Sequence, residues 1–135
     1  MKKNIVIIAH DSKKPDLIRF ISEHVDWIDE VNFIATGRTA ELMEKEGVNV
    51  KHLSPGKFGG YNEITEMISK KKIDMVIFFM DFLVVETHHI DIKNLLNSCN
   101  DNNIPLATNY ASAELLFIGF IKRTSTERVK PKTFL

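Results

Sequence analysis

Three short runs constrain this chain most: Ile5-Val6-Ile7-Ile8, Val31-Asn32-Phe33-Ile34 and Met75-Val76-Ile77-Phe78-Phe79. Each is almost unbroken in apolar character. A strand with one wet face alternates apolar and polar residues, so continuity means burial on both faces, as in a parallel sheet covered by helices. The runs at Val48–Leu53 and Pro105–Thr108 are weaker strands of the same kind, and the first three read as Asn4–Ala9, Val31–Ala35 and Met75–Phe79. Helical patterns lie between them. Pro15 suits a first helical turn and is followed by Leu17, Ile18, Ile21 and Val25. A short helix runs from Thr39 to Glu46 and is stopped by Gly47. Asn62 to Lys71 carries Ile64, Met67 and Ile68 on one face. Asp91 caps a helix through Ile92, Leu95, Leu96 and Cys99. Ser112 to Ile121 forms the last helix. Strands alternating with helices predict βαβ units in an α/β domain.

A chain of 135 residues suits one domain, and a hydrophobic share of 44% is enough for a core. The 18 basic and 18 acidic residues cancel, which removes any bulk electrostatic case for nucleic acid. A single cysteine, Cys99, excludes a disulfide framework and a cysteine-rich metal site. The N-terminal apolar run is too short for a signal peptide, and no stretch nears the roughly 20 apolar residues that cross a bilayer. A cytoplasmic protein without membrane or nucleic-acid partners is expected.

In an open parallel sheet, ligands bind at the carboxyl ends of the strands. The polar chemistry of this chain gathers at those positions. His10 and Asp11 follow the first strand, with Lys13 and Lys14 beyond. Together they could orient, deprotonate or hold an anionic substrate; alternatively, Asp11 or Ser12 only caps a helix. Thr36-Gly37-Arg38-Thr39 follows the second strand. Hydroxyls and backbone N–H groups at a helix start favour an anion, and Arg38 can add a bidentate contact. Ser54-Pro55-Gly56-Lys57-Phe58-Gly59-Gly60 follows the third strand, too rich in glycine and proline for regular structure. It makes a turn or wraps a ligand with its amides. Asp81 follows the fourth strand, where partial desolvation is expected to raise its pKa toward that of a useful base. His88 and His89 precede Asp91, but adjacent residues do not easily face one ion, and no metal site is expected.

Taken in order, these segments resemble methylglyoxal synthase. The resemblance runs from Ile5 to about Leu116. It rests on Ala9-His10-Asp11, Ala35-Thr36-Gly37-Arg38-Thr39, Leu53-Ser54 with Gly59-Gly60, and Ile77-Phe78-Phe79-Met80-Asp81. It continues with His88 before Asp91-Ile92-Lys93-Asn94-Leu95-Leu96, and with Asn103-Ile104-Pro105-Leu106-Ala107-Thr108-Asn109. It implies a three-layer α/β/α sandwich with a five-stranded parallel sheet, a homohexamer, and no cofactor. It also implies a carbon–oxygen lyase that converts dihydroxyacetone phosphate to methylglyoxal and inorganic phosphate. The same match implies a phosphate cradle of Lys14, Thr36, Arg38, Thr39, Ser54, Gly56, Gly59 and Gly60. It implies a catalytic set of His10, Asp11, Asp81, His88 and Asp91, with His88 polarising the substrate oxygens.

The departures are as specific as the matches. Where the family carries its base aspartate after the Gly-Gly pair, this chain has Tyr61, whose phenol has an ordinary pKa of about 10. Arg38 replaces a cradle threonine, Phe82 replaces a proline, and the glycine loop is one residue longer. Asp11, Asp81 or Glu63 would then remove the proton, and Tyr61→Asp is expected to raise the rate. The alternative is a regulatory domain that binds a phosphorylated ligand without efficient catalysis. A related lyase acting on another phosphorylated sugar is the third reading. The tail, 124–135, is basic. It reads as a solvated end or as a cationic arm reaching a phosphate or a neighbouring subunit, with Arg123, just before it, or Arg128 as the contacting arginine.

Overall fold

The computed structural model describes residues 2–84 and 89–129, with side chains described as far as residue 123. The strands are β1 (Lys3–Ala9), β2 (Val31–Thr36), β3 (Val50–Leu53), β4 (Met75–Phe79) and β5 (Leu106–Ala107). The helices are α1 (Lys14–Glu23), α2 (Gly37–Lys45), α3 (Gly60–Ser69), α4 (His89–Asp101) and α5 (Tyr110–Val129). The sheet is parallel throughout, in the order β3-β2-β1-β4-β5. The five-stranded α/β/α sandwich expected from the sequence is the fold observed.

The order explains the layering. From β1 the chain steps outward to β2 and β3, then returns across the sheet to β4 and continues outward to β5. Connections between parallel strands keep one hand, so reversing direction moves the helices to the other face. Ile5, Ile7, Phe33, Met75 and Ile77 accordingly pack against Leu17 and Phe20 of α1, Met43 of α2 and Phe117 of α5. Val6, Ile8, Ile34, Val76 and Phe78 pack against Ile64 and Ile68 of α3 and Leu95 and Cys99 of α4. The alternation along β1 sends its side chains to both layers, which is why it reads as a continuous apolar run. Burying a residue such as Phe78 contributes about 1.5–3 kcal/mol.

Several boundaries differ from the sequence reading. β3 starts at Val50 rather than Val48, and the exposed Lys51 and His52 mark it as an edge strand. Asp91 sits within the first turn of α4 rather than capping it, since that helix begins at His89. α5 continues to Val129, past the end of its apolar periodicity.

The sheet reverses its order between β1 and β4. The crevice outside their carboxyl ends is where such folds place a ligand.

Candidate functional site

At that end lies a cavity of about 370 Å³, of the size that takes small molecules. It is lined by His10, Asp11, Lys14, Thr36, Arg38 and Thr39. Residues far apart in the chain thus meet because β1 and β2 are neighbours and end at the same level. Gly56 and Tyr61 also line it, as do Ser12, Pro55, Lys57 and Val84.

The cationic side is built on α2. Thr36 is its N-cap in extended conformation, and the first turn holds no acidic residue. The first N–H groups of a helix lack intrahelical acceptors and favour an anion. Lys14 reaches in from α1. Its Nζ donates to Ala9 O at 2.6 Å and to Thr39 Oγ1 at 3.0 Å. Burial pushes its pKa below 10.5, with Asp11 opposing the shift and Arg38 adding to it. Thr39 Oγ1 also accepts from Ala9 N–H at 3.3 Å, so both its lone pairs are engaged and its own proton is the group left to donate. Arg38 Nη1 lies 3.4 Å from Asp11 Oδ2. These side chains are 75% and 72% exposed, so the pair contributes little to stability.

Below its pKa, Lys14 keeps its charge at a desolvation cost that a bound anion relieves. Phosphate affinity should therefore fall on alkalinisation, beginning below pH 10.5, with phosphate already dianionic. Calorimetric titrations at rising pH should show this fall. In Lys14→Arg, whose guanidinium stays charged, it should vanish; an unchanged fall would assign it elsewhere.

The other side is built on the end of β1, and Asp81, in the loop after β4, supports it without being among the cavity residues. Asp81 N–H donates to His10 Nδ1 at 2.8 Å, so a neutral His10 carries its proton on Nε2. Ser12 Oγ donates to Asp81 Oδ2 at 2.7 Å, and Leu83 N–H donates to Asp81 Oδ1 at 2.9 Å. The Ser12 hydroxyl, then the Leu83 amide, hold the Asp81 carboxyl below its ordinary pKa. The expectation of a raised value is thus corrected: two donors outweigh desolvation at this site.

Ser54, Gly59 and Gly60 stand behind the cavity wall. Gly37 N–H donates to Ser54 O at 3.4 Å, and Ser54 N–H donates to Glu63 Oε1 at 2.9 Å. Glu63 is thereby committed to the backbone of this loop and does not line the cavity. Gly59 has φ +106°, a conformation that favours glycine. A Cβ on Gly60 would sit 2.1 Å from Ser54 O. Gly60→Ala is expected to cost about 1–3 kcal/mol through overpacking. Thermal melting checks this, and a wild-type midpoint would contradict it.

Tyr61 is 5% exposed, packs in the α3–α4 layer and stacks on Phe78 with ring centroids 5.8 Å apart. Asp91 is half-buried in α4 and is not among the cavity residues. His88 lies outside the described residues, as do the side chains of the basic tail, including Arg128. Among the described residues no group of three or more His, Cys, Asp or Glu could hold a metal ion, and no helix is long and apolar enough to cross a membrane. Ser12, Pro55 and Lys57 line the cavity as well, although the sequence reading gave Ser12 only a capping role and Pro55 and Lys57 only a place in the ligand-wrapping loop. The extra residue in the glycine loop was the available signal for Lys57.

The model of the MGS-like domain matches residues 16–108. Methylglyoxal synthase from Thermoanaerobacter sp. (strain X514) is 45% identical over 117 residues, covering 86% of this chain and 89% of that protein. The chain belongs to the methylglyoxal synthase family. Methylglyoxal synthase from Geobacillus sp. (strain WCH70) is 39% identical over 116 residues, covering 85% of this chain and 83% of that protein. A crystal structure of methylglyoxal synthase from Elizabethkingia anophelis NUHP1 superposes with a TM-score of 0.79 at 38% identity, covering 85% of this chain and 76% of that one. The fold and the family agree with the sequence reading.

Proposed function

We propose that this protein is a lyase that converts dihydroxyacetone phosphate to methylglyoxal and inorganic phosphate. One observation carries the reading: a single small cavity brings together the first turn of α2, three cationic residues, an imidazole and the carboxylate of Asp11. Lys14, Arg38, Thr36, Thr39 and the Gly56 loop hold the phosphate, with Ser54, Gly59 and Gly60 shaping that loop from behind. His10 donates from Nε2 to the carbonyl oxygen. Asp11 takes a proton from the hydroxymethyl carbon, and the released electron pair forms an enediolate. As the terminal hydroxyl gives up its proton to form the aldehyde, the enediolate collapses and the carbon–oxygen bond to phosphate breaks, the phosphate leaving with that bond's electron pair and taking the hydroxyl proton. The remaining enol takes up a proton and tautomerises to methylglyoxal. The sequence of steps is redox-neutral. Asp81 fixes His10 through its backbone amide, and the family resemblance adds His88 and Asp91 to the polar set.

The family resemblance also supports a homohexamer. Exposed Phe82 and Leu83, at 73% and 92%, favour burial against another copy. Tyr61 favours a second reading, a binding domain with little catalysis, because a buried phenol stands where the family places its base.

Purified protein incubated with dihydroxyacetone phosphate distinguishes the two. Stoichiometric release of methylglyoxal and phosphate is the expected result. Phosphate binding without turnover would replace the enzyme by the binding domain. Arg38→Ala should raise KM about tenfold or more through the lost charged contact. An unchanged KM would remove Arg38 from the cradle.

A further inference from the structure

At the opposite end of the sheet, where the strands begin, lies a larger cavity of about 690 Å³. Lys2, Lys3, Lys51, Lys71 and Lys72 ring it. They come from three separate stretches of chain, the start of β1, β3 and the turn between α3 and β4, so their convergence is a product of the fold. Only two carboxylates, Asp29 and Asp74, share the lining. Asp74 is committed, since its Oδ2 accepts Asn4 N–H at 2.8 Å. None of the five lysines forms a salt bridge among the described residues, and nearby Glu66 is taken by Lys70 at 2.9 Å. Asn4, Asn32 and Asn49 supply side-chain amides to the same lining. Asn32 Nδ2 donates to Asn4 Oδ1 at 3.2 Å, which orients that pair.

The chain as a whole has no net charge. Concentrating five cations around one concavity therefore costs mutual repulsion that an anion would relieve. Five ammonium groups carry more positive charge than one phosphate neutralises, while amides suit phosphoryl oxygens. We infer that the amino-end cavity, ringed by Lys3, Lys51, Lys71 and Lys72, is a second anion site that binds a small polyphosphorylated molecule. It is separate from the carboxyl-end cavity, to which the proposed function assigns the substrate phosphate, and it does not depend on the proposed lyase activity.

Inorganic tripolyphosphate is the probe, titrated into the full chain by calorimetry at low and physiological ionic strength. One saturable site per chain is expected, with Kd on the order of 0.1 mM or tighter. The double variant Lys51→Glu/Lys72→Glu changes exposed side chains only and should weaken binding by about tenfold or more. Arg38→Ala should leave this binding unchanged. Non-saturating heats, wild-type affinity in the double variant, or loss of binding in Arg38→Ala would each overturn the inference. In the last case the probe occupies the carboxyl-end cavity instead.

Discussion

Asp11→Asn will lower methylglyoxal formation by about 10²- to 10⁴-fold, the usual contribution of a positioned general base. The melting temperature should barely move. Asp11 is largely exposed, and its contact with Arg38 is a surface ion pair of small stabilising value. The amide is nearly isosteric, so the cavity keeps its shape while the proton acceptor disappears. Phosphate affinity should stay level or rise slightly, since a negative charge beside the cradle is removed. Asp81→Asn provides the contrast. Its backbone amide would still donate to His10, and only the acceptor for Ser12 and Leu83 would change. A smaller loss is expected there. Equal turnover in wild type and Asp11→Asn, with collapse in Asp81→Asn, would transfer the base to Asp81.

Tyr61→Asp will have opposite effects on rate and stability. A carboxylate after the Gly-Gly pair restores the family's base, so turnover per folded molecule should rise. The sequence alone supports that expectation. The structure adds a cost, because Tyr61 packs in the α3–α4 layer against Phe78. Replacing the ring leaves a cavity and brings a charge beside apolar neighbours, which should destabilise the domain by about 3–5 kcal/mol. Tyr61→Phe keeps the ring and its stacking on Phe78, and should lose far less stability than Tyr61→Asp. Kinetics normalised to folded protein, read beside a denaturant titration, separates the two effects. A variant as stable as wild type would contradict the packing argument, and a stable fold without rate gain would contradict the catalytic one.

The outline of this molecule was legible because burial on both faces leaves an unmistakable trace. β1, β2 and β4 stand within a residue of where their apolar runs end. β3 and β5 were harder, since an edge strand with exposed Lys51 and His52, and a strand of two residues, show little pattern. α5 outran its expected end because Lys122 and Arg123 propagate a helix well without adding to an apolar stripe. Strand order could not be read from composition, yet it decides which loops meet. The meeting of residues that directly follow strands was legible, as at His10, Asp11, Thr36 and Arg38, which line one cavity. It was not legible where a side chain turns away. Glu63 faces the backbone of Ser54, and the Asp81 carboxyl is held by donors from two loops.

The hydrogen bond from the amide of residue 81 to His10 has a further consequence. The group that selects the imidazole tautomer belongs to the main chain. Every amino acid except proline supplies the same N–H, so drift at that position leaves the ring's proton where it is. The tautomer of His10 is insulated against mutation by the register of two strands rather than by the identity of its neighbour.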